Sequence, residues 1–134
     1  ISFANRHFDR IWVADGSTLE ALFRKLKSLE DLKPGQLAGK ICTVVDLITR
    51  LPIEVWFHPN PLASETKFEA VLLDLLSAKT LLLLDRGFYH FQFFEKLMSQ
   101  QVDFITRLKA KASFKVIQVF TSNNSVKDEL IKLG

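Results

Sequence analysis

Apolar positions along the chain fall into short runs separated by polar turns, and their period changes from run to run. Ile11-Trp12-Val13-Ala14 ends at Asp15-Gly16, which predicts a buried strand with an aspartate at its C-terminal edge. Ser17 and Glu20 have capping-box spacing, so a helix is expected to start there. Leu19, Leu22, Phe23, Leu26 and Leu29 follow at helical intervals, with Arg24, Lys25, Lys27 and Glu30 on the other face, until Pro34-Gly35 stops the helix. A second strand is predicted over 40–46 on Ile41, Val44 and Val45, and a third over 53–58, which alternates as a half-buried strand does.

Residues 64–78 predict a helix with Phe68, Val71, Leu72, Leu75 and Leu76 on one stripe and Ser64 or Thr66 as its cap. Residues 80–84 form a wholly apolar strand that again ends in an aspartate, Asp85, followed by an Arg86-Gly87 turn. A helix over 90–99 is expected to turn Phe91, Phe94, Leu97 and Met98 inward. Strands are expected over 103–108 and 114–120, and over 125–133 a short helix or the start of an element that the C-terminus interrupts. This order predicts an α/β fold, a mixed sheet flanked by helices, in one domain.

Composition narrows the classes. Of 134 residues, 48% are hydrophobic and 25% charged, which excludes disordered and collagen-like chains. Eighteen basic against fifteen acidic residues leave a charge of +3, which permits a nucleic-acid partner without demanding one. A single cysteine, Cys42, excludes an internal disulfide. No run reaches the ~18 apolar residues of a membrane span. Arg6, Asp9, Arg10 and Asp15 leave no secretory apolar region, so the expected location is cytoplasmic, with no membrane partner. Ile1 stands where an initiator methionine would, so the chain is expected to be part of a longer one.

Asp15 and Asp85 share one placement: each follows an apolar strand and precedes a small turn. Groups at strand ends are fixed by the core yet reach solvent. If the two strands are neighbours, two carboxylates share a site and a cation between them relieves their repulsion. Mg²⁺ or Mn²⁺ suits such oxygen donors. An aspartate after a strand also serves as a turn former or helix cap, and spacing alone leaves both readings open.

The stretches Val13-Ala14-Asp15-Gly16-Ser17-Thr18-Leu19 and Leu82-Leu83-Leu84-Asp85-Arg86-Gly87-Phe88-Tyr89 resemble the first and second acidic motifs of DDE-type insertion-sequence transposases, the IS-four family of cut-and-paste elements. Val102-Asp103-Phe104-Ile105-Thr106-Arg107-Leu108-Lys109 is similar to the segment after the second motif, and 40–46 with Leu51-Pro52 to the hairpin after the first. The resemblance implies a ribonuclease H-like sheet, with three antiparallel strands and a later strand parallel beside the first. It also implies two-metal phosphodiester chemistry, by water and then by a DNA 3′-hydroxyl, with Asp15 and Asp85 as catalytic metal ligands. Transposon ends and target DNA are the implied partners, with a homodimer possible in the full-length protein.

The family adds a glutamate within Tyr-x2-Arg-x3-Glu-x6-Lys. Tyr89 does not start that signature, because Gln92 and Lys96 occupy its arginine and glutamate places. The expectation is a chain truncated before the last catalytic helix: a partial core over 1–112, the start of a β-strand insertion over 113–134, and no activity alone. Arg107, Lys109, Lys111 and Lys115 lie close together with no acidic residue among them. The resemblance carries Arg107 and Lys109 over as DNA-phosphate contacts, and Arg86 lies beside the second aspartate; a solvated loop is the other reading. Two alternatives complete the set: a catalytically dead remnant that only binds DNA or a transposase, and a stand-alone nuclease using Glu129 or Asp46 as third ligand.

Overall fold

The computed structural model describes residues 2–18 and 39–134. The helix expected after Ser17, with its Pro34-Gly35 stop, falls largely outside them. Ser17 itself is no cap: it lies within a strand, opposite Ile41.

A short helix α1 (Ala4–His7) leads into β1 (Arg10–Thr18), β2 (Lys40–Asp46) and β3 (Pro52–His58). A 3-10 turn (Glu65–Phe68) runs into α2 (Glu69–Leu75), then β4 (Thr80–Leu84), a second 3-10 turn (Arg86–Phe88), α3 (Phe91–Ser99) and β5 (Asp103–Thr106). These strands form one sheet in the order β3-β2-β1-β4-β5. β1, β2 and β3 pair antiparallel, whereas β4 lies parallel beside β1 and β5 parallel beside β4. That is the ribonuclease H-like order. β6 (Phe114–Ser122) and β7 (Lys127–Leu133) make a separate two-stranded antiparallel sheet.

The period of two selects the core. Trp12 and Ala14 on β1, Cys42 and Val44 on β2, and Leu82 and Leu84 on β4 join Phe68, Leu72 and Leu76 in one cluster. Phe88, Phe93, Phe94, Leu97 and Val102 close it from the side of α3. No helix among the described residues is long and apolar enough to cross a membrane.

Four elements depart from expectation. α2 stops at Leu75 because Leu76 turns extended (φ −79, ψ 149), and Val71 is exposed. α3 buries Phe93 with Phe94 and Leu97, while Phe91 and Met98 face solvent. Strand β3 is an edge strand, and Ile53, Val55 and Phe57 are exposed rather than half-buried. Residues 127–133 form a strand instead of a helix, since pairing with β6 satisfies their backbone.

The two α3 faces give a direct test. Phe93→Ala should cost about 3–5 kcal/mol in urea unfolding, as full burial of an aromatic implies. Phe91→Ala, at a site 48% exposed, should cost under about 1 kcal/mol. Equal losses would contradict this orientation of α3.

Candidate functional site

Strand register builds the site. Ala14 lies beside Leu84 in the β1–β4 pairing, and Leu84 beside Thr106 in the β4–β5 pairing. The next residue on each chain segment is Asp15, Asp85 and Arg107, so two carboxylates and a guanidinium follow one another across the C-terminal edge of three parallel strands. Ligand-binding groups gather at this edge in α/β sheets. The Asp85 N–H donates to the Ala14 carbonyl at 3.4 Å, tying the second turn to β1. Asp15 is held more firmly than a strand-end residue would be. Its strand continues to Thr18 against β2, with Asp15 opposite Thr43.

Asp85 does two jobs at once. It caps the 3-10 turn by accepting the Gly87 N–H at 3.4 Å, and its Oδ1 lies 3.6 Å from Arg107 Nη2. The side chains are 36% and 78% exposed, so this ion pair is a loose surface contact worth at most about 1 kcal/mol. Asp15 is exposed. Two solvent-facing carboxylates are the donor chemistry of a hard divalent ion that keeps most of its waters. Among the described residues, no three His, Cys, Asp or Glu side chains are grouped to hold an ion. The described site therefore offers two ligands rather than a cage.

Neither alternative third ligand is at hand. Asp46 pairs with Trp12, three residues before Asp15 along β1, and its Oδ1 accepts the N–H groups of Ile48 and Thr49 at 2.7 and 3.1 Å. Glu129 lies on β7 opposite Val119, in the second sheet.

The carboxylate that does approach is Glu65, which no local motif marks. Its Oε1 lies 2.6 Å from Lys40 Nζ, and Lys40 also donates to the Ala63 carbonyl at 2.8 Å. No signal in the sequence points to Glu65: Gly16 inside β1 is compatible with a close approach, but nothing says which side chain makes it, and Gly87 lies in a turn. Cys42 registers the same negative surroundings. Burial, then Asp15 and Glu65, raise its thiol from 9.0 to about 12.

Arg86 opens the second 3-10 turn and is exposed. Lys109 places its Nζ 5.0 Å from the Tyr89 ring centroid. It lines a cleft of about 390 Å³ with Lys111, Tyr89, His90 and Phe91. His90 pairs its Nδ1 with Glu69 Oε1 at 3.0 Å, while His58 accepts the Asn60 N–H and His7 packs against Phe3.

A family model described as the transposase DDE domain matches residues 6–133. Among solved structures, one similar chain comes from the cryo-EM structure of the simian T-cell lymphotropic virus intasome in complex with PP2A regulatory subunit B56 gamma. It is 13% identical, with a TM-score of 0.47 over 76% of this chain and 35% of that chain. This chain thus spans about a third of that one. No curated protein gives a match.

Cys42 supplies a pH test. The native thiol holds its proton to about 12, whereas the unfolded one releases it near 9.0. Stability should therefore fall as pH rises between those values, by up to about 1.4 kcal/mol per unit. Urea midpoints between about pH 8 and 10 should drop more for wild type than for Cys42→Ala, which lacks the group. Parallel declines would remove the thiol as the cause.

Proposed function

The chain belongs to the transposase DDE domain family, and from that premise we propose that Asp15 and Asp85 are catalytic carboxylates of DNA transposition. The chemistry is hydrolysis of a phosphodiester at an element end, then strand transfer. Water oxygen displaces the 3′-oxygen from phosphorus, and the freed 3′-hydroxyl then attacks a target phosphodiester, releasing the target's own 3′-oxygen. The observation that carries this reading is the register of Ala14 with Leu84 on adjacent parallel strands, each followed directly by one of the two aspartates.

Asp15 and Asp85 would hold Mg²⁺ or Mn²⁺. When bound, such ions stabilise charge on the entering and leaving oxygens. The chain's own part is positional. β2 and β4 hold β1 from both sides, so Asp15 cannot shift without breaking pairs. Arg107, mostly solvent-exposed, is free to exchange its loose contact with Asp85 for a DNA phosphate. Arg86 and Lys109 extend this basic margin, and the aromatic wall beside Lys109 suits a nucleic-acid strand. Double-stranded DNA, at transposon ends and in the target, is the partner we propose.

A Mn²⁺ titration tests the acidic pair. Asp15→Asn and Asp85→Asn should each weaken binding by about tenfold or more, the scale of losing one nearby unit charge. Curves that match wild type would overturn the assignment.

DNA binding tests the basic margin. Replacing Arg107 and Lys109 with Gln should lower the slope of log affinity against log salt by about 2, near 0.9 per lost phosphate contact. An unchanged slope would make both side chains ordinary surface residues.

A further inference from the structure

Gly16 follows Asp15, and Gly87 is the residue whose N–H donates to the capping Asp85 carboxylate. One side chain occupies the space beside both glycines. A Cβ at Gly16 would lie 2.9 Å from Glu65 Cγ and 3.0 Å from its Oε1, and one at Gly87 would overlap Glu65 Cδ and Oε2. Neither glycine adopts positive φ; among the described glycines, Gly39 and Gly134 do. What glycine supplies at 16 and 87 is therefore room, not a special backbone conformation.

Glu65 is brought there by its own turn. Ser64 caps the 3-10 segment by accepting the Thr66 N–H at 3.3 Å, and Glu65 is the first residue inside. Lys40, on the first position of β2, meets its Oε1 at 2.6 Å. The two side chains are only 11% and 16% exposed, so this is a largely buried ion pair. Breaking such a pair strands the surviving charge, here within reach of the acidic site. Glu65 is held by Lys40 in a largely buried pair, whereas Asp85 meets Arg107 only loosely at 3.6 Å, and this difference in burial sets Glu65 apart from the aspartates.

We infer that Glu65, with Lys40 as its counterion, is a positioning residue for the aspartate pair: it clamps the end of β1 to the turn after β4 and sets the charge that a divalent cation meets there. The inference rests on the metal reading of Asp15 and Asp85. The carboxylate stands where its charge can act: Glu65 Oε1 is 3.0 Å from a Cβ position at Gly16, the residue after Asp15, and its Oε2 overlaps one at Gly87, two residues after Asp85.

The test is Mn²⁺ titration of the full chain, followed by the EPR signal of the free ion. Glu65→Gln keeps the shape but leaves Lys40 unbalanced, and should weaken Mn²⁺ binding roughly tenfold. Lys40→Gln leaves Glu65 unbalanced and should tighten it by a similar factor, while the double variant returns near wild type. A merely structural pair would weaken binding in both single variants. That result, or no change in either while Asp85→Asn still loses binding, overturns the charge effect.

A second arm tests the clamp without metal. Gly87→Ala should lower Tm by about 5 °C or more, and Glu65→Ala, which removes the obstructing carboxylate, should relieve most of that loss in the double variant. Additive losses overturn the clamp. Flat titrations for Asp15→Asn and Asp85→Asn would instead overturn the metal reading and the charge effect with it, and the clamp then stands or falls on the unfolding cycle.

Discussion

Everything at the acidic edge depends on the parallel register of β1, β4 and β5. Ala14, Leu82 and Leu84 sit in the core at 0, 0 and 7% exposure, so β1 and β4 are pinned by side chains that have no other place to go. A slip of one residue would turn that set to solvent and carry the core contacts of Trp12 and Ala14 away from Leu82 and Leu84. The same slip would separate Asp15 from Asp85. The turn after β4 is anchored as firmly, because Phe88 is fully buried three residues after Asp85 and its N–H donates to the Asp85 carbonyl at 3.0 Å. A hydrophobic residue thus holds a carboxylate that stays partly in water.

How much of this was legible depended on whether the deciding contacts are local. Strands β2 and β4 follow from the sequence to the residue, because apolar runs end at strong breaks: Gly39 before one, Asp85 after the other. The two aspartates were legible for the same reason. β1 runs past Asp15 since β2 continues to pair after β4 has stopped, and no local pattern announces partners such as Thr43 for Asp15 or Lys40 for Thr18. Val126, Leu130 and Leu133 have helical spacing, yet Lys127–Leu133 is a strand, because Phe114–Ser122 offers a complete ladder. On α3, Phe94 and Leu97 are buried as the helical period predicts, while the inward face is rotated toward Phe93 and leaves Phe91 and Met98 in solvent. Glu65 was out of reach entirely, since its meaning lies in two glycines and a lysine on other elements.

The two ion pairs beside the aspartates are opposites in kind, and the difference assigns them different work. Arg107 and Asp85 meet at 3.6 Å with the guanidinium mostly in water. Such a contact costs little to make or break, which is what the proposed exchange of a carboxylate for an incoming phosphate needs. Lys40 and Glu65 meet at 2.6 Å with both side chains largely buried. There neither partner can leave without stranding a charge in a poorly hydrated place, so the pair behaves as part of the frame. Lys40 adds a hydrogen bond to the Ala63 carbonyl, which fixes the turn that presents Glu65. The fixed pair stands behind Gly16 and Gly87, and the exchangeable one stands in front of Asp85. On the proposed reading, a site that holds its own carboxylates still while a charged polymer arrives requires both, and Gly16 and Gly87 are where the Glu65 side chain comes up against the aspartate segments.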